Sequence, residues 1–168
     1  MADYPLDVLP MSDLRVPTIS LVVEIRCADG GSMTGEIFLP SQSSRQPGPM
    51  RIDEWSDTVH AFFPFRSRDA RALTILNRDA VVAVAVPAAA NGGDDDTVIG
   101  TPVSHVAIDA GGATFEGDVV IDMPPDHQRV ADWLNAPGGF ITLRTGTVHH
   151  LIQKRHVTRV VELDGRQP

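Results

Sequence analysis

The two tryptophans of the chain sit in matching seven-residue stretches, and that match limits what the chain can fold into. Arg51, Ile52, Asp53, Glu54, Trp55, Ser56 and Asp57 align with Arg129, Val130, Ala131, Asp132, Trp133, Leu134 and Asn135. Basic, β-branched, acidic, Trp and Asp/Asn positions coincide at a constant offset of 78 residues. The same offset carries Phe62 onto Phe140, Phe65 onto Leu143 and Arg66 onto Arg144. With one residue dropped, Ile75 falls on Ile152, Arg78 on Arg155 and Val84 on Val161. Upstream, Gly30 and Gly31 match Gly111 and Gly112, and Gly35 matches Gly117. An ordered set of this kind is the signature of a duplicated structural unit, with Trp55 and Trp133 as its structural pair.

Each copy reads as β-β-short α-β-β-β. In the first, strands over 18–26 and 33–39 flank Asp29, Gly30 and Gly31, a hairpin signal because glycine supplies the positive φ of tight turns. In the second, 103–108 and 114–121 flank Gly111 and Gly112. The stretches 51–57 and 127–135 are too short and polar for strands, and Pro124 and Pro125 suit a helix start. Strands over 61–66, 72–76 and 80–86 are mirrored by 140–144, 148–153 and 157–163. The expected fold is mainly β: two tandem, pseudo-symmetric curled-sheet or barrel units, Sm- or SH3-like in size. The expected divisions are an N-terminal arm (1–17), a first repeat (18–87), an acidic Gly/Asp linker (88–102), a second repeat (103–164) and a tail (165–168). A unit this small has a marginal core of its own, so the copies are expected to pack together.

The copies differ in their last strand. Residues 80–86 are apolar on both faces, whereas the second copy carries Thr158, Arg159 and Glu162. A strand apolar on both faces needs cover on both. Val81, Val82, Val84 and Val86 are therefore expected beneath the second repeat or a partner chain.

Charge is segregated along the chain. Over 88–135, Arg129 is the one base against nine acids, while 136–168 carries five bases against Glu162 and Asp164. Arg144, His149, His150, Lys154, Arg155, His156 and Arg159 form a candidate interaction surface for an acidic protein partner or a second copy. The net charge of −8 argues against nucleic acid as that partner, as does the lack of aromatics interleaved with these bases. A hydrophobic share of 42% supports a real core and excludes a largely disordered chain. No apolar run reaches the ~20 residues of a membrane helix, and the first residues lack the pattern of a secretory signal. With a single cysteine, Cys27, a cytoplasmic protein is expected.

No catalytic signature is found: the chain lacks G-x-S-x-G, P-loop, G-x-G-x-x-G and H-E-x-x-H motifs. Cys27 lies at a strand end without a following base and is expected to be structural. His149 and His150 point to opposite faces of a strand, so one could meet His156, but a third zinc ligand has no place. Residues 91–96 lack calcium-loop spacing. The sequence from Asp29 to Gly35 is one residue out of register for the D-x-S-x-x-G of PilZ-type cyclic-dinucleotide sites, and the preceding R-x-x-x-R is missing. Neither enzyme activity, metal nor cofactor is expected.

Each copy resembles a short bacterial β-rich domain with a G-x-[IV]-[FV] hairpin, an R-x-x-D-[WFL]-L-N turn, a strand opening with Phe and an [IL]-x-[NK]-[RK]-x-[IV] closing hairpin. In the second copy the matching residues are Gly117, Arg129, Asp132, Trp133, Leu134, Asn135, Phe140, Ile152, Lys154, Arg155 and Val157. The first copy departs from the pattern at Ser56 and Asp57 and has an enlarged loop before Arg51. The resemblance implies a tandem duplication and brings no activity with it. The expected role is a non-catalytic protein-interaction or assembly module in a larger complex or homo-oligomer. The alternative is a regulatory module binding a small ligand or nucleotide at the repeat junction.

Overall fold

A computed structural model describes residues 17–69, 73–91 and 100–163. The N-terminal arm (save residue 17), the Asp94–Asp96 run and residues 164–168 lie outside the described residues. The first half contains β1 (Thr18–Cys27), β2 (Ser32–Pro40), α1 (Ile52–Thr58), β3 (Phe62–Ser67), β4 (Leu73–Asn77) and β5 (Val81–Pro87). The second contains β6 (Val103–Ala110), β7 (Ala113–Val120), α2 (Val130–Asn135), β8 (Phe140–Thr145), β9 (Val148–Gln153) and β10 (Val157–Glu162). All ten strands join one antiparallel sheet in the order β10-β6-β7-β8-β9-β5-β1-β2-β3-β4. None of the helices is long and apolar enough to cross a membrane, among the described residues.

The sheet is not closed, which corrects the barrel expectation. β4 and β5 are joined by the three-residue 3-10 turn Arg78–Ala80, yet β1, β2 and β3 lie between them in the sheet. So short a connector forces the five strands to curl. Closure would require β5 to pair with β4, but the outer side of β5 is hydrogen-bonded to β9 instead. The two halves therefore share one continuous sheet.

Alternation builds the core. Val23, Ile25 and Cys27 of β1 and Ile37 and Leu39 of β2 point inward and are buried, together with Phe63 and Phe65 of β3. Ile52 and Trp55 of α1 cover them. A second cluster collects Val106, Ile108 and Ala110 of β6, Val119 of β7, Val130 of α2 and Ile141 and Leu143 of β8. β1–β5 and β6–β10 each carry a register shift, between Arg26 and Cys27 and between Val157 and Arg159. The β5 bulge turns Val81 and Val84 to one cluster and Val82 and Ala83 to the other.

The pairing registers adjust the alignment of the closing hairpins. Phe63 pairs with Leu76 and Ile141 with Ile152, while Cys27 pairs with Val81 and Ala110 with Val157. By register position, Leu76 thus answers Ile152 and Val84 answers Val160, an offset of 76 where the sequence alignment took 77. The β8–β9 turn is two residues shorter than its counterpart, which is the reason for the difference.

The tryptophans occupy the fourth residue of α1 and α2. Each N–H is donated to the carbonyl of the preceding arginine, Trp55 to Arg51 at 2.9 Å and Trp133 to Arg129 at 3.0 Å. Trp55 is buried and meets Phe63 edge-on at 5.3 Å. Trp133 is only half-buried, because Ile141 stands at the place of Phe63 and the four-residue-longer loop of the first half has no equivalent. In that longer loop Ser43 and Ser44 bond the buried Glu54 carboxylate, tying the loop down onto α1.

Gly35 of β2 and Gly117 of β7 stand at matching places. A Cβ on either would overlap the carbonyl oxygen of the next strand, Arg66 in one half and Arg144 in the other. Gly117→Ala is expected to lower stability by about 1–3 kcal/mol, since overpacked backbone must shift. Gly139→Ala, where a Cβ meets open space, should be near neutral. Urea unfolding of both variants checks this.

Candidate functional site

Two regions stand out: the β5–β9 seam in the middle of the sheet, and its two outer strands, β4 and β10. In the seam Ala83 pairs with Ile152, Val84 with Leu151, Ala85 with His150 and Val86 with His149. Leu151 crosses into the first half's cluster, while Val82 and Ala83 enter the second half's. Each half thus completes its neighbour's core. The candidate covered residues Val81, Val82, Val84 and Val86 are all buried here.

A polar lock flanks this apolar pairing. Arg155 forms an ion pair with Asp79, and Nε2 of His156 lies 2.8 Å from the Asp79 carbonyl oxygen. The Arg155 guanidinium holds the Asp79 carboxyl below its ordinary 3.8. The 3-10 turn Lys154–His156 presents these groups directly against the turn Arg78–Ala80.

The seven residues of the candidate interaction surface do not lie on one face. His149 is buried completely, opposite Val86. His150 points the other way, half-buried beside Phe115 at 5.5 Å, and burial pushes its imidazole pKa down. Lys154 donates from Nζ to the Ala136 carbonyl at 2.7 Å, and burial pushes its ammonium pKa down as well. Arg159 pairs with Asp109 at 2.7 Å, and Arg144 lies opposite Asp118 in the β7–β8 register. Arg155 and His156 are the two that reach across the seam, where the acidic residue they meet belongs to this same chain.

Beside the β5–β9 seam lies a small cavity of about 90 Å³, lined by Glu24, Arg26, Ser32, Ala83, Ala85, Phe115 and His150. Sites for drug-sized ligands enclose roughly 300–1,000 Å³. This one has room for a few waters. Burial, and then the Asp29 charge, raise the Cys27 thiol pKa, which disfavours the nucleophilic thiolate. No group of three metal-capable side chains occurs among the described residues.

Sequence reasoning assigned nothing to His105. Its Nδ1 lies 2.7 Å from Asp118 and its Nε2 3.3 Å from Glu116, and hydrogen bonds to these carboxylates raise its pKa. Counting back from the Gly111–Gly112 turn would have found the pair, because a two-residue hairpin sets His105 opposite Asp118.

On the outer strands, no other described strand pairs with the far side of β4 or of β10. β4 carries no charge, and its Leu73 and Ile75 are 61% and 60% exposed. On β10, Val161 is exposed and Val160 half-buried. Comparison with protein-family models, curated proteins and solved structures finds no match for the chain.

The seam lock makes a pH prediction. A carboxyl whose folded-state pKa is depressed adds stability above its ordinary value and loses it as pH falls through the folded-state value. Asp79→Asn is therefore expected to melt below wild type at neutral pH. The gap should close as pH drops below 3.8, and it should narrow in high salt because the pair is partly exposed. Thermal melts from pH 7 to pH 2.5 at two salt concentrations provide the check.

Proposed function

We propose that the protein is a non-catalytic assembly module made of two tandem, equivalent units of Sm- or SH3-like size, which joins a larger assembly by strand addition at its sheet edges. The observation that carries this reading is β4, an uncharged outer strand that exposes Leu73 and Ile75 to solvent. Backbone donors and acceptors along such an edge template another strand, and soluble proteins normally blunt them with charge, proline or a cover. Strand addition is a general mode of recognition in which backbone bonds supply affinity and alternate side chains supply selectivity. The common strand order of the two halves and their matching glycines, bulges and tryptophan helices support the tandem reading. The ligand-binding alternative finds less support, since the junction cavity is too small for a nucleotide.

Ile75→Lys tests the proposal, because the side chain is exposed and the fold should tolerate the change. Wild type is expected to elute as a species larger than one chain, alone or after addition to extract of its native host. Ile75→Lys should elute as a single chain in both settings while keeping the wild-type melting temperature within a few degrees. A wild type that remains a single chain in buffer and in extract would refute the reading.

A further inference from the structure

We infer that the occupant of the open edge is a second copy of this chain, joined head to tail, with β4 of one molecule pairing antiparallel with β10 of the next. This rests on the assembly reading above and names its partner. The two outer strands are not arbitrary. β4 occupies in its half the place that β9 occupies in the other, and β10 likewise answers β5. β9 and β5 are already paired in the seam. The molecule therefore contains one made joint and displays both halves of an equivalent joint at its ends.

The registers specify the contact. Through the 76-residue offset, the seam pair Val84–Leu151 becomes Val160 opposite Ile75, Ala85–His150 becomes Val161 opposite Thr74, and Val86–His149 becomes Glu162 opposite Leu73. Burial separates the two situations. Leu151 and His149 are 0% exposed because the seam covers them, whereas their counterparts Ile75 and Leu73 are 60% and 61% exposed. Val84 is fully buried, and its counterpart Val160 only half. Addition of a strand beside β10 would seat Ile75 against the second cluster, as Leu151 is seated in the first.

Arg155 and Asp79 are already paired with each other within one molecule, so the joint rests on the strand contacts alone. One feature weakens the joint relative to the seam: Arg159 and Glu162 replace Ala83 and Val86, leaving less apolar surface to bury. The association is accordingly reversible, while the seam is permanent. A contact between different patches of identical molecules is heterologous, and it yields a ring if the rotation closes and a filament if it does not.

The test is disulfide trapping in purified protein, with the buried Cys27 left in place. Ile75→Cys and Val160→Cys are made separately and together. Mixed and oxidised, the two single variants are expected to form a 75–160 cross-linked dimer, and the double variant a ladder or one closed species. Trapping of Ile75→Cys with itself in preference to Val160→Cys would overturn the head-to-tail joint in favour of a symmetric β4 pair. Absence of cross-links, with wild type monomeric at all concentrations, would also overturn it. The assembly reading would survive that second result if wild type still entered a larger species in host extract and Ile75→Lys did not.

Discussion

The pairing of β5 with β9 is the interaction on which the other features of this protein depend. Each five-stranded half is curled by a three-residue connector between strands that lie far apart in its sheet. Such a half has a choice: its closing strand can return to its own β4 position or pair elsewhere. Here β5 pairs with the other half, and the side chains follow. Leu151 enters one cluster, while Val82 and Ala83 enter the other. Small units bury too little surface to be comfortable alone. Exchanging core residues across a hydrogen-bonded seam gives each half a larger core than its own strands supply.

The same arrangement explains the fate of the basic residues. A hairpin enriched in Lys, Arg and His reads from sequence as a surface awaiting an acidic partner. In the folded chain its members are distributed by the strand's alternation: His149 inward, His150 into the junction cavity, Arg155 and His156 onto the Asp79 turn, Arg159 onto Asp109. Arg155 and His156 thus meet the Asp79 turn of the same chain, while β4, in the corresponding place of the other half, carries no charge.

Much of the architecture was legible in the residues. The glycine turns, the tryptophan helices and the hairpins β1–β2, β3–β4, β6–β7 and β8–β9 follow from local rules. Period-two burial, positive φ at Gly30, Gly111 and Gly112, and short helices of seven and six residues opened by Arg51 and Arg129 need no distant information. The two-residue hairpin even determined the His105–Asp118 contact, which went unread because it requires counting a register. The alignment of the closing hairpins was one residue off, since a shortened turn leaves an apolar strand free to match at either register. Trp133 is less buried than its position suggests, because burial depends on Ile141 and on a loop the second half lacks.

Alternation and turn chemistry within a few residues set the strands, their hairpin partners and the need of residues 81–86 for cover on both faces. What provides the cover, that the sheet stays open, and which two strands are left at its ends were settled by long-range pairing. Those outcomes depend on a pairing between residues almost seventy apart, such as Ala83 and Ile152. Such a pairing is selected by how two curled sheets fit and by the fit of Leu151 into a neighbour's core, and no local pattern encodes that fit.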